Sequence, residues 1–362
     1  MPTNSCSEKY TKERKVVVFS KKVKKGVALR VSPVIVHTIQ NFLGKVFNNF
    51  AGVIHMKKTI VAAAIAAAVA APAAMADVTV YGKAHIDITD GDSADGSTAT
   101  EAITSNASRW GLKGSEDLGN GMKASFLTEF GSDNIDGTAA PGSRDSWVGI
   151  SGDFGSVKVG RMGGPNKGVL YGTGNVQVAD SVADFADGFD AKSSSSNFGR
   201  VSNAIAYSNS FNGVDVTLAT VGNDSNDNFA NTAFSLGTTV GGVKVAVAHT
   251  DIDGTKTGTI YGAKMTMDAL TAGVVYEEVD FDAAGTSDYD TLGVSLSYKM
   301  GNNTLAVSTS TRDTDGTTAD IDKTNISLQH SLSKRTSVYI AQGDSDNGTS
   351  TKNTAVGIIH SF

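Results

Sequence analysis

Alternation with a period of two, renewed from residue 78 to the end of the chain, most limits what this sequence can fold into. Val78, Val80, Ala84, Ile86 and Ile88 fall on one side of an extended segment, and Thr79, Tyr81, Lys83, His85 and Asp87 on the other. Leu292, Val294, Leu296 and Tyr298 alternate in the same way with Thr291, Gly293, Ser295 and Ser297. Side chains alternate across a strand, so each segment needs one apolar surrounding and one wet one. Sixteen segments follow the pattern: 77–88, 105–117, 121–131, 143–151, 155–161, 200–210, 213–222, 231–240, 243–251, 258–267, 269–279, 288–300, 303–313, 322–333, 335–343 and 353–362. Many have the ~9–11 residues that cross a bilayer when tilted.

The connections alternate as well. Short turns such as Phe211-Asn212, Gly241-Gly242 and Gly301-Asn302 are interleaved with longer polar stretches at 89–104, 132–142, 162–199, 223–230, 252–257, 280–287, 314–321 and 344–352. A soluble β-sandwich has no reason to alternate loop lengths. A membrane barrel does, with short turns at one end and long loops at the other. The expected fold is therefore all-β, a 16-stranded antiparallel transmembrane β-barrel. Closure is obligatory, because lipid offers no partner to an open strand edge. Trp110, Phe126, Phe130, Trp147, Tyr207, Phe234, Tyr261, Tyr276, Tyr298 and Phe362 share the apolar parity, as interfacial girdle residues should.

The first 76 residues read differently. Lys57 and Lys58, the apolar run Ile60–Ala71 and the small-residue site Ala74-Met75-Ala76 form the three parts of a secretory signal over 56–76, cleaved between Ala76 and Asp77. Residues 1–55 precede that signal and fit an upstream extension from a start codon placed too early, with an extended leader as the rival. They also hold the single cysteine, Cys6, so residues 77–362 can form no disulfide and no thiolate metal site. Residues 77–362 carry 19 Lys and Arg against 35 Asp and Glu, a net charge of −16. That balance argues against nucleic acid as a partner. It favours cations at an acidic channel mouth.

The stretch 162–199 is far longer than the ~12–15 residues beyond which a connection is usually functional or disordered. It mixes Val176, Val178, Val182, Phe185 and Phe189, which favour burial, with Asp180, Asp184, Asp187 and Asp190. Such a loop is expected to fold inward against a polar, water-filled wall and narrow the pore. Lys83, Arg109, Arg144 and Arg200 have lumen parity. Arg161 shares the parity of Val157 and Val159 and needs a bulge near Gly160 to face inward.

The chain resembles the Gram-negative general porins over 77–362. The resemblance is carried by VTVYGKAH from Val78, SRWGLKGSEDLGNGMKA from Ser108, RDSWVGI from Arg144, FGSVKVGR from Phe154 and the terminal Phe362. It implies a homotrimer in the outer membrane, set among lipopolysaccharide and passing ions and small hydrophilic solutes. It implies that the barrel-assembly machinery reads Phe362. It also places 162–199 as the third external loop, folded into the barrel. The basic wall of the constriction would then be Lys83, Arg109, Arg144, Arg200 and Arg161, facing Asp180, Asp184 and Asp187. An adhesin or phage-receptor barrel and a substrate-specific channel are the alternative readings.

Other motifs carry less. The loops at Asp251, Asp313 and Asp344 lack the twelve-position spacing of a calcium loop. His85, His249, His330 and His360 have no ligand spacing, and no nucleophile is paired with a base, so neither metal, cofactor nor enzymatic chemistry is expected. N-terminal sequencing of protein from outer membranes is expected to begin at Asp77; a start within residues 1–55 would contradict the cleavage site.

Overall fold

The computed structural model describes residues 77–91, 101–132, 142–174, 176, 180–192, 198–222, 231–317 and 320–362. The expected upstream extension over 1–55 and the expected signal over 56–76, with Ala76, lie outside the described residues. The strands are β1 (Asp77–Gly91), β2 (Ala102–Ser105), β3 (Arg109–Gly119), β4 (Met122–Gly131), β5 (Ser143–Gly152), β6 (Gly155–Gly163), β7 (Arg200–Phe211), β8 (Val214–Val221) and β9 (Asn231–Val240). They continue as β10 (Val243–Ile252), β11 (Lys256–Met267), β12 (Leu270–Phe281), β13 (Tyr289–Met300), β14 (Asn303–Thr314), β15 (Ile321–Ser331), β16 (Thr336–Asp346) and β17 (Ser350–Ser361). Each pairs antiparallel with its sequence neighbour, except that β2 and β3 both pair with β1, and β1 also pairs with β17. Since β2 and β3 are two pieces of one stave, the barrel has sixteen staves and no free edge.

The break in that stave corrects the continuous strand expected over 105–117. Ala107 has a φ of 50° and cannot stay in the ladder. Ser108 then repairs the gap. Its hydroxyl accepts from the His85 amide at 3.0 Å and is placed to donate to the His85 carbonyl at 3.0 Å, so the backbone groups of β1 are not left orphaned.

The predicted faces hold on most strands. Val80, Ile88, Leu292, Ile340 and Val356 are exposed on the outer surface, while His85, Asp87, Thr291 and Ser295 are buried inside. Trp147 is the exception. It pairs with Leu127, which pairs in turn with Lys113 on the inner face, whereas Val148 and Ile150 point outward. The reason is a register shift between Thr128 and Phe130. It leaves Arg144 and Asp145 both opposite Glu129, and the extra residue inverts the parity beyond it. Arg144 keeps its expected inward place and Trp147 moves from the lipid face to the lumen.

Between β6 and β7 the chain turns into the barrel. Pro165 opens a short helix, α1 (Pro165–Val169), at the position where its fixed φ and missing amide cost nothing. A π turn (Leu170–Gly174) and two 3-10 turns (Phe185–Gly188 and Asp190–Lys192) follow. Val169, Leu170, Phe185, Ala186, Phe189 and Ala191 pack on Ala248, Ile260 and Val275 of the wall. A buried side chain the size of Phe185 contributes about 1.5–3 kcal/mol.

The wall is shaped to receive this loop. A Cβ on Gly293 would lie 2.6 Å from the Phe185 ring, and one on Gly343 would lie 1.9 Å from the Val182 carbonyl oxygen. Polar ties complete the seat. Glu277 accepts from the amides of Asp190 and Ala191 at 2.7 and 2.9 Å, and Arg312 donates to the Gly188 carbonyl at 2.8 Å. The chain's two tryptophans, Trp110 and Trp147, report the two faces. In single-tryptophan variants, Trp110 emission is expected to be quenched by brominated lipid and Trp147 emission by aqueous iodide. Lipid quenching of Trp147 would contradict the bulge assignment.

Candidate functional site

The inner face of the first strands gathers cations around one carboxylate. Lys83 pairs directly across the ladder with Arg109. Glu129 accepts from Arg144 Nε at 2.5 Å and from the Tyr81 hydroxyl at 2.9 Å, and lies 3.4 Å from Arg109 Nε. The second residue of the bulge, Asp145, forms an ion pair with Arg200. Lys83, Arg109 and Arg144 are thus brought together, while Arg200 lies one pair further along the wall. Arg161 does not join them. It pairs with Ser146, keeps the outward parity of Val157 and Val159, and donates to Ser202 Oγ at 2.6 Å. The bulge that could have turned it inward lies on β7, where Asn203 has a φ of 55°, and the β5–β6 ladder runs unbroken past Gly160.

The loop acids do not form ion pairs with these cations. Asp180, Asp184 and Asp187 converge on Lys192, at 3.6 Å for Asp180 and 2.5 Å for Asp184, with Asp187 also in contact. Asp190 pairs with Lys256 at 3.2 Å and Arg312 at 3.7 Å. The acidic row expected on the inward loop is present, and most of it is neutralised from within the same loop. Burial pushes the Asp184 carboxyl up to about 7; Lys192 draws it down and hydrogen bonding to Asp180 pushes it up again. Lys192 is opposed by burial, but Asp184, Asp187 and Asp180 outweigh that and hold it above the usual lysine range. Lys167 on α1 is lowered to about 8 by burial and by the nearby Arg200.

Sequence reasoning missed Glu129, Asp145, Lys192 and Glu277. Glu129 shares parity with inward Lys123, so its face was readable, but pairing across strands was not. Lys192 stands eight residues after Asp184, and only the 3-10 turns bring the two together.

A second polar cluster pins the loop at the seam. Ser181 Oγ donates to Asp87 Oδ2 at 2.5 Å, the Tyr339 hydroxyl donates to the same oxygen at 2.7 Å, and His85 Nε2 lies 2.8 Å from that hydroxyl. Strands from both ends of the chain therefore hold one point of the loop. Among the described residues no group of His, Cys, Asp and Glu could hold a metal ion, and no helix is long and apolar enough to cross a membrane.

A sequence profile described as "Gram-negative porin" matches residues 62–350. The major outer membrane protein P.IB of Neisseria meningitidis is 38% identical over 138 residues, which is 36% of this chain and 40% of that protein. Its counterpart from Neisseria gonorrhoeae is 38% identical over 120 residues, 31% of this chain and 34% of that one. The matched part thus spans about 40% or less of the length of these relatives. Among solved structures, the anion-selective porin from Comamonas acidovorans superposes with a TM-score of 0.71 at 21% identity, covering 79% of this chain and all of that one. OmpT of Vibrio cholerae, in its trimer form, gives 0.63 at 13% identity over 79% of this chain and 99% of its own.

Two outcomes test the loop's charge cluster. Lys192→Met leaves carboxylates uncompensated and should lower stability by about 3 kcal/mol, read from unfolding in detergent. Asp184 keeps its proton to about pH 7 in the seated loop, but only to the ordinary carboxylate range once released. Its stabilisation is therefore full below about pH 4 and is lost as the pH rises through about 7. Asp184→Asn should then raise the melting temperature more at pH 8 than at pH 4.5, and an equal effect at both would contradict this.

Proposed function

The chain belongs to the Gram-negative porin family, and from that premise we propose that it is an outer-membrane channel for passive diffusion of ions and small hydrophilic solutes, with a preference for anions. The carrying observation is an imbalance of pairing within the lumen. The acids Glu129, Asp145, Asp180, Asp184, Asp187 and Asp190 all lie at ion-pair distance from a cation, and the buried Asp87 and Glu277, which have no such cation among the described residues, are held by hydroxyl and backbone N–H donors instead. Lys83, Lys113, Lys158, Lys167, Lys244 and Lys323 have no carboxylate at that distance among the described residues. Lys323 Nζ reaches the Asp187 carbonyl oxygen of the loop at 3.1 Å, which sets this lysine beside the inward loop.

The net charge of −16 on residues 77–362 argued for cations. Part of that acidity lies off the lumen: Glu278, Asp290 and Asp313 pair across strands on the outer parity of Tyr276. A permeating ion responds chiefly to charges within a Debye length, ~8 Å at physiological salt, and within the barrel those are the unpaired lysines. The Comamonas structural neighbour is described as anion-selective, which accords with this reading.

The remaining expectations follow the family. A homotrimer among lipopolysaccharide is proposed by analogy with the trimeric Vibrio neighbour. Phe362 is proposed as the signal for the barrel-assembly machinery. Lys83, Arg109, Arg144 and Arg200 are proposed as the basic wall of the constriction, and Asp180, Asp184 and Asp187 as its loop side. In planar bilayers under a potassium chloride gradient, the reversal potential should carry the sign of chloride preference, and Lys83→Glu with Lys167→Glu should move it toward potassium. Potassium preference in the unaltered protein would contradict the proposal.

A further inference from the structure

We infer that the channel wall carries a solute-retaining subsite for small aromatic carboxylates, between the entry of the inward loop and strands β5 to β9. This inference rests on the channel reading above. A cavity of about 360 Å³ opens there, large enough for a monocyclic acid. Its apolar side is made by Trp147, Met162 and Pro165, and its polar side by the hydroxyl-bearing Ser208, Thr217 and Ser235. The lining thus offers both an apolar surface and convergent polar groups, the two elements that small-molecule sites combine.

The β4–β5 register shift builds this place by turning Trp147 inward. Lys158 Nζ lies 4.1 Å from the centre of the Trp147 ring, so ammonium and indole form one composite surface. No carboxylate at ion-pair distance neutralises Lys158 among the described residues. Asp145, the one carboxylate that lines the cavity, is already engaged by Arg200. A solute with a carboxylate for Lys158 and a flat apolar ring for Trp147, Met162 and Pro165 meets both needs. A sugar leaves the ammonium unpaired, and an inorganic anion leaves the apolar side wet. The site would hold such a solute briefly on its way through the pore.

The test uses the full barrel as a Trp110→Phe variant, in which Trp147 is the sole tryptophan. Sodium benzoate is titrated with excitation at the red edge, and benzyl alcohol serves as the uncharged control. Each variant's conductance in planar bilayers shows that it folds into an open pore. The expected result is a saturable change in Trp147 emission with benzoate but not with benzyl alcohol. Lys158→Gln should weaken it about tenfold or more while the pore stays open, as expected for the loss of one charge-assisted hydrogen bond. A linear response, an equal response to benzyl alcohol, or an unchanged response in open Lys158→Gln pores would overturn the subsite. A barrel that never conducts would instead overturn the channel reading.

Discussion

Lipid leaves a backbone amide or carbonyl no partner but another strand, and that constraint sets the form of this molecule. The ladder between β1 and β17 runs from Lys83 against Ser361 to Gly91 against Asn353. It is extended by reciprocal bonds of 3.1 Å between Gly82 and Phe362. The last residue therefore completes the closure. Where the second stave breaks at Ala107, the Ser108 hydroxyl accepts from the His85 amide, and the His85 carbonyl accepts from the Asn106 amide at 2.9 Å and is within reach of the same hydroxyl. Closure creates the lumen, and the lumen's needs account for the rest of the structure.

A sixteen-stave barrel is too wide to be filled by its own side chains, so something else must narrow it. The inward loop does so as a folded element with its own apolar contacts. Phe185 and Phe189 are nearly fully buried, and the wall opposite them is trimmed to glycine at Gly293. The loop's carboxylates could not be carried inward unpaired at tolerable cost. Lys192 meets three of them. Their neutralisation within the loop leaves wall lysines without a carboxylate partner, the arrangement on which the proposed anion preference rests.

Much of this was legible in the amino-acid sequence because the period of two is imposed by physics on every stave. Strand positions and the inward loop could be read from it, and Lys83, Arg109 and Arg144 gather around Glu129, whereas Arg200 stands at the end of β7 beside inward Val201 and reaches Asp145 from there. Trp147 was misplaced because one inserted residue reverses the faces of the rest of its strand, and a bulge leaves no mark in composition. Arg161 depended on where a bulge fell, and it fell on the neighbouring strand at Asn203. The partners of the loop aspartates were hidden for a different reason. Lys192, Lys256 and Arg312 meet them only through turns and cross-strand neighbours that a linear reading does not place. Net charge is a poor guide to ion preference because it sums groups that face lipid, loops and lumen alike.

We propose that residues 181–191, seated on the wall, set the narrowest part of the channel. It is tested most directly by single-channel conductance after this segment is replaced by a Gly-Ser stretch of equal length. Such a stretch lacks Phe185, Phe189 and the aspartates and has nothing to seat it. The expected conductance is well above that of the unaltered protein, with the ion preference weakened. An unchanged conductance would contradict it.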